Sequence, residues 1–208
     1  MESADKIDKY GELSIGTASP CLRLTGKGED FEILALNEQG RKILTLLKKG
    51  FSFCDKATYK KEAIIGKLKP QRKSVEEEQR LKLKTHMDII RKVAFFFKPV
   101  SKPFIPYCGL FGFFAYDFID QFEDLPLNRE DILKEPDYEF YFADNLFIAD
   151  HKNNKTHFIA NVLITDNKKE DVVKRCNKIL ENYEKLLNEK LPVPRKFKQE
   201  KQKSSRSS

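Results

Sequence analysis

The sequence predicts an α+β domain with a largely antiparallel sheet and packed helices, because two kinds of pattern alternate along it. Several short segments alternate apolar and polar residues, as half-buried strands do, and turn residues separate them. Other segments repeat apolar residues every three or four positions, as helices with one buried face do. Along the sequence, predicted strands follow one another directly or are separated by a single helix. This order favours antiparallel pairing of the strands, with the helices on one face of the sheet.

The first elements are a hairpin, a helix and a further strand. Residues 22–35 alternate around a glycine-containing turn, which predicts two paired strands. Asn37 can cap the helix that follows, because its side-chain oxygen can accept a free backbone N–H of the first turn. This helix ends at Gly50, and residues 63–68 are apolar enough for another strand. The apolar face of the helix consists of Ile43, Leu44 and Leu47.

The middle of the chain predicts a helix and a strongly apolar strand. Residues 86–97 repeat apolar side chains at helical spacing after Thr85, and Pro99 ends this helix. Residues 107–116 form a nearly continuous apolar run, whose length and aromatic content fit a strand buried on both faces. A helical turn over residues 117–122 follows it.

The last third predicts a hairpin and a long helix. Alternation over residues 138–150 and a turn at residues 152–155 lead into a returning strand over residues 157–163. The helix has an apolar face between Val172 and Leu187. Packing of this face on the core is predicted, with docking of a partner as the alternative.

Residues 1–190 are interpreted as one domain and residues 191–208 as a basic, Ser-rich disordered tail. The formal net charge is +7, but six basic residues and one acid lie after residue 194, which leaves about +2 for the domain. Since the excess charge is confined to a tail, no nucleic-acid role is predicted.

Composition also bears on metal and membrane functions. The four cysteines, Cys21, Cys54, Cys108 and Cys176, form no CxxC pair, and the three histidines have no metal-ligand spacing. No apolar run approaches the roughly 18 residues of a membrane span, and the sequence opens on a polar stretch. A cytoplasmic protein with free thiols, no metal site and no membrane contact is expected.

Residues 109–117 (GLFGFFAYD) and 122–126 (FEDLP) place glycine, aromatic and acidic residues at fixed spacing. They are similar to the signature G-L-x-G-Y-x-x-Y-D followed by F-E-x-L-P of anthranilate synthase component I and its relatives, and two further stretches also resemble this family. Residues 136–151 are similar to a P-D-x-x-F-Y hairpin that ends in D-H. Glu2 and Ser3 lie where the family has a leucine-leucine-glutamate-serine motif that senses tryptophan.

The resemblance implies a fold, a reaction and partners. It implies the N-terminal part of the two-sheet sandwich of the chorismate-utilising enzymes. In the family, component I works with a glutamine amidotransferase subunit, component II. Together they convert chorismate and glutamine-derived ammonia to anthranilate and pyruvate in tryptophan biosynthesis, with Mg²⁺ as cofactor and L-tryptophan as feedback inhibitor. Glu2 and Ser3 are the residues to which the resemblance assigns a role, in tryptophan binding.

The family's chorismate- and Mg²⁺-binding domain would follow residues 190–200, where this sequence resembles it no further. No catalytic or metal-binding residue is therefore predicted, and no cofactor is expected to bind. The 208 residues are expected to be inactive alone and marginally stable, with sheet edges left open. Two alternatives remain: a stand-alone, non-catalytic ligand-binding or assembly module with the same fold, and the equivalent part of aminodeoxychorismate synthase component I.

Overall fold

A computed structural model describes residues 12–69, 83–100, 108–123, 131–164 and 169–189. These residues form a six-stranded and a three-stranded sheet with antiparallel pairing throughout. The strands are β1 (Leu13–Gly16), β2 (Leu22–Lys27), β3 (Asp30–Ala35), β4 (Lys56–Tyr59), β5 (Ala63–Lys67), β6 (Gly109–Phe114), β7 (Tyr138–Ala143), β8 (Asn145–Asp150) and β9 (Lys155–Ala160). The helices are α1 (Glu38–Leu47), α2 (His86–Ala94), a 3-10 helix (Tyr116–Gln121) and α3 (Lys169–Asn188).

The predicted α+β class with antiparallel sheets is confirmed. The strand order is β4-β5-β3-β2-β7-β6 in the larger sheet and β1-β8-β9 in the smaller one. The predicted first hairpin is β2–β3, and in its turn Gly28 adopts a φ of 57°, which glycine tolerates without strain. The short strands β1 and β4 are not among the predicted elements.

One face of the larger sheet is apolar and carries α1 and α2. Alternate residues of β2, β3 and β7 are buried, while the residues between them are mostly partly exposed, as a sheet with one covered face requires. The buried helix residues in the same cluster are Ile43, Leu44 and Leu47 of α1 and Ile89, Ile90 and Val93 of α2. The prediction of helices packed on one face therefore holds for α1 and α2.

Asn37 is the predicted cap of α1, and Thr85, which directly precedes the predicted helix, is the cap of α2. The Asn37 side chain accepts the Gly40 N–H at 3.0 Å. The Thr85 hydroxyl accepts the Met87 N–H at 3.2 Å, and the Asp88 carboxylate accepts the Thr85 N–H at 2.9 Å. Two of the free N–H groups at the start of α2 are thereby satisfied by side chains.

Helix α2 ends earlier than predicted, at Ala94 rather than near Pro99. The Phe95 N–H closes it by donating to the Arg91 carbonyl at 3.0 Å. Phe97 is predicted to lie on the helix, but it lies in the segment that follows the helix. From there its ring packs against the ring of Phe142, at a centroid distance of 5.1 Å. The helical spacing of apolar residues therefore continues beyond the helix itself.

Within the predicted apolar run, residues 109–114 form an edge strand, so the prediction of burial on both faces is wrong. Within the described residues, β6 pairs with β7 alone. Phe113 and Phe114 are 49% and 46% exposed. A Cβ added at Gly112 would lie 1.9 Å from the Glu139 carbonyl oxygen, so glycine allows β6 to approach β7 closely.

The predicted single strand over residues 138–150 is two strands, interrupted at Asp144. β7 belongs to the larger sheet and β8 to the smaller one. The predicted hairpin that follows is confirmed as β8–β9, with Asn154 in the left-handed region of its turn at a φ of 51°. Leu146, Ile148 and Ile159 form the small core of this second sheet together with Ala143.

The predicted C-terminal helix is confirmed as α3, but its apolar face is only half covered: Val172, Cys176, Ile179 and Tyr183 are buried or partly buried, and the other four residues of the face are exposed. Tyr183 is buried and its ring lies 5.1 Å from that of Phe158 in β9. Leu186 and Leu187 remain 55% and 65% exposed. None of the helices described is long and apolar enough to cross a membrane.

Candidate functional site

The two residues predicted to bind tryptophan, Glu2 and Ser3, lie outside the described residues, as does the predicted tail at residues 191–208. The structure does describe the segment into which they lead. That segment is β1, the edge strand of the smaller sheet. β1 is the described element nearest to Glu2 and Ser3 in sequence.

β1 is held on β8 by side chains as well as by the strand ladder. Its register pairs Leu13 with Asp150 and Gly16 with Phe147. Ser14 Oγ lies 2.7 Å from His151 Nε2, and Lys152 Nζ lies 3.2 Å from a carboxylate oxygen of Glu12. Glu12 and β1 are thus tied to the hairpin β8–β9 rather than to the larger sheet.

A buried polar junction lies at the start of β8, where the chain passes from one sheet to the other. Its centre is Asp144, which is 3% exposed. Gln39 of α1 donates from Nε2 to the Asp144 carboxylate and to the Asn161 carbonyl, the latter at 3.1 Å. The Gln39 side-chain oxygen accepts the Leu163 N–H at 3.2 Å. Asn161 Nδ2 donates to the Asp144 carbonyl at 2.7 Å. We call these residues the polar junction: Gln39, Asp144, Asn161 and Leu163.

Burial controls the protonation of the polar junction. It raises the pKa of Asp144 to about 6, against the opposing effect of hydrogen bonds from the backbone and from Gln39. Burial and the neighbouring Asp144 charge also raise the pKa values of the thiols of Cys21 and Cys108. These cysteines are therefore protonated near neutral pH and are poor nucleophiles. The junction can take up a proton as pH falls towards 6, but it contains no activated nucleophile.

A second buried polar pair lies within the larger core. His86 is 1% exposed, its Nδ1 lies 3.0 Å from the Tyr138 hydroxyl, and its Nε2 lies 3.2 Å from the Leu68 carbonyl. Since a carbonyl only accepts, Nε2 carries the proton and Nδ1 accepts the Tyr138 hydroxyl. Burial lowers the pKa of His86. The pair is neutral and fully hydrogen-bonded, which is typical of a structural role.

The sequence interpretation missed the polar junction. The available signal is the polar pair Asp144 and Asn145, which interrupts the alternation of residues 138–150. Gln39 has no comparable signal, because it is 105 residues away from Asp144 in sequence. Among the described residues, no group of three or more His, Cys, Asp and Glu side chains is arranged to hold a metal ion.

Several known proteins resemble this chain in sequence. No protein-family model matches the chain. "Anthranilate synthase component 1" of Buchnera aphidicola subsp. Acyrthosiphon pisum (strain APS) is 31% identical over 193 residues, which cover 92% of this chain and 36% of that protein. The chain is related in sequence to anthranilate synthase component I. The component 1 protein of Escherichia coli (strain K12) is 27% identical over 182 residues, 86% of this chain and 34% of that protein.

The chain spans about a third of the length of these anthranilate synthase component 1 proteins. The crystal structure of anthranilate synthase component I from Streptococcus pneumoniae TIGR4 aligns with 92% of this chain and 32% of that one, at 19% identity and a TM-score of 0.44.

Proposed function

We propose that this chain is the tryptophan-sensing, regulatory portion of an anthranilate synthase component I. The observation that carries the proposal is the match to component 1 of Buchnera aphidicola over 92% of this chain but 36% of that protein. The family reaction converts chorismate and ammonia to anthranilate and pyruvate, with Mg²⁺ and a glutamine amidotransferase partner. This reaction would then need the two thirds of component I that the chain does not match.

The attachment of β1 supports a sensing role for the residues that precede it. A ligand held at Glu2 and Ser3 would be connected through β1 to β8, since β1 forms its ladder with that strand. β8 begins directly after Asp144, whose neighbour Gln39 belongs to α1 on the larger sheet. Backbone and side-chain hydrogen bonds therefore connect β1 continuously to the core of the larger sheet. A change in the position of β1 can be transmitted to that core through them.

Titration calorimetry with L-tryptophan tests the sensing role. The 208-residue chain is mixed with the unmatched part of the Buchnera component 1 protein, and Ser3→Ala is compared with Ser19→Ala, a matched change at an exposed serine just after β1. Ser3→Ala should weaken tryptophan binding about tenfold, since losing one hydrogen bond to a charged ligand costs about 1.5 kcal/mol or more. Ser19→Ala should leave it unchanged. Equal affinities for all three proteins would contradict the proposal.

Anthranilate fluorescence tests whether catalysis needs the part of component I that the chain does not match. With chorismate, Mg²⁺ and ammonium, the 208-residue chain alone should form no anthranilate, and the mixture should form it in a tryptophan-inhibited reaction. Turnover by the chain alone would overturn the proposal.

A further inference from the structure

The two sheets have separate apolar cores. The buried residues of the larger sheet cluster with those of α1 and α2. The smaller sheet has a buried cluster of its own, which comprises Ala143, Leu146, Ile148 and Ile159. Phe111 of β6 packs on this second cluster as a partly buried residue. Because the buried apolar residues of the smaller sheet pack among themselves, the polar junction is what attaches this sheet to α1.

The attachment is made by Gln39 of α1. Its side chain donates to the Asp144 carboxylate and to the Asn161 carbonyl, and it accepts the Leu163 N–H at 3.2 Å. Asn161 and Leu163 lie directly after β9, and the Asn161 N–H donates to the Asp144 carbonyl at 3.0 Å. Opening of the junction therefore breaks the bonds of Gln39 and exposes the Asp144 carboxyl to water.

The Asp144 carboxyl lacks the hydrogen-bond donors that a buried carboxylate needs. Its side chain is 3% exposed, and Gln39 donates to Oδ2. The second oxygen, Oδ1, is buried and has no hydrogen-bond partner of normal geometry among the described residues, and the same holds for the side-chain oxygen of Asn145. Burial with few donors disfavours the charged form. In agreement with this geometry, burial raises the pKa of Asp144 to about 6.

Asp144 is also the group of this region that changes charge between about pH 4 and pH 7. It interacts with Cys21 before β2, Cys108 before β6 and Tyr183 of α3. Burial, and after it the Asp144 charge, raises the pKa values of these three side chains. Since their ordinary pKa values already lie above about 8, all three stay neutral over this range. A proton that leaves the region therefore comes from Asp144.

We propose that ionisation of Asp144 is a conformational switch, which changes the smaller sheet from firmly attached to readily opened at the polar junction. With the carboxyl protonated, no charge is buried and the junction stays closed. After the proton is lost, opening transfers the carboxylate to water and removes the cost of burying it. This switch does not depend on the proposed function.

The size and direction of the effect follow from the two states of the carboxyl. An exposed carboxyl has a pKa of 3.8 and the closed one has a pKa of about 6. Since the closed state binds the proton more tightly, opening becomes easier as pH rises between these two values. A difference of about 2 pKa units corresponds to about a 100-fold increase in the opening equilibrium, complete above about pH 6.

Amide exchange of the 208-residue chain tests the switch. The Asn161 and Leu163 amides report on the junction because they donate within it. The Leu68 amide donates to the Glu29 carbonyl at 2.8 Å and reports on the larger sheet. Protection factors, which are corrected for the effect of pH on exchange itself, should fall about 100-fold at Asn161 and Leu163 from pH 4 to pH 7.

Low concentrations of urea distinguish local opening from unfolding of the whole chain. Protection at Asn161 and Leu163 should respond little to urea, because opening of the junction exposes little surface. Protection at Leu68 should fall with urea, because its exchange requires the larger sheet to unfold. Unchanged protection at Asn161 and Leu163 between pH 4 and pH 7 would overturn the switch, and so would a urea response equal to that of Leu68.

Two variants test whether Asp144 is the switching group. Asp144→Asn keeps the side chain neutral, so protection at Asn161 and Leu163 should no longer depend on pH. Asp150→Asn is the matched control, because it removes a carboxylate from the other end of β8, and it should leave the pH-dependent fall in place. Persistence of the fall in Asp144→Asn, or its loss in Asp150→Asn, would overturn the assignment. The measurement on the unsubstituted chain decides the proposal even where a variant fails to fold.

Discussion

Replacing Asp144 by asparagine should change the pH dependence of stability in a defined direction. Burial raises the pKa of this carboxyl from 3.8 to about 6. Below pH 4 the group is protonated in the folded and unfolded chains alike and contributes nothing to the pH dependence. Between pH 4 and 6 the unfolded chain loses the proton while the folded chain keeps it, so the free energy of unfolding falls as pH rises.

The magnitude follows from the size of the shift. A difference of about 2 pKa units at about 1.4 kcal/mol per unit gives about 3 kcal/mol, fully expressed above pH 6. An asparagine side chain at this position would remain neutral, and its oxygen could still accept from Gln39. Asp144→Asn should therefore match the unsubstituted chain near pH 4 and be more stable by about 3 kcal/mol at pH 7.

Urea unfolding followed by circular dichroism at pH 4, 5, 6 and 7 measures this difference. The matched control is Asp150→Asn at the other end of β8. Asp150 accepts hydrogen bonds from the backbone N–H and side chain of Asn153, and these lower its pKa. Its contribution is therefore present above its ordinary pKa of 3.8 and is lost only as pH falls below that value, so the control should differ from the unsubstituted chain by a nearly constant amount between pH 4 and 7. A constant difference between Asp144→Asn and the unsubstituted chain across this range would refute the account of Asp144.

Three further substitutions test the packing and hydrogen bonds of the larger core by urea unfolding. Gly40→Ala should destabilise the fold by about 2 kcal/mol or more, because the added Cβ would lie 2.1 Å from the Cys21 carbonyl oxygen. A neutral effect on the free energy of unfolding would show that α1 can move away from β2. Thr85→Ala should cost about 1 kcal/mol by removing the cap of α2, and a stability equal to that of the unsubstituted chain would argue against the cap. Tyr138→Phe should cost about 1–3 kcal/mol by leaving the buried Nδ1 of His86 without a donor, whereas an unchanged midpoint would mean that the pair contributes nothing.

Local signals in the sequence predicted the elements that local chemistry determines. The β2–β3 hairpin, the cap at Asn37 and the start of α2 after Thr85 depend on residues that are neighbours in sequence, so their patterns are readable there. The fold class followed from the order of these elements. β1 and β4 have four residues each, too few for an alternating pattern to stand out from a loop.

The features that were missed depend on distant residues. The apolar character of β6 indicates that the strand can be buried, but what covers it is decided by other parts of the molecule. The same holds for the exposed leucines of α3. The polar junction joins Gln39 to Asp144, and the interruption between β7 and β8 places these two residues together only after both sheets have formed.

The position of β7 in the larger sheet has a consequence for how the chain folds as it is synthesised. β7 lies between β2 and β6, although it follows both in sequence, and β8 pairs with β1 at the other end of the described chain. The strands β2 to β5 can assemble as soon as they are made, but β2 then presents an open inner edge until residue 143 has emerged. Pairing across such long sequence separations is slow, and an unpaired strand is prone to associate with other chains. The interval between synthesis of β3 and arrival of β7 is therefore the period in which this chain is most exposed to misassembly.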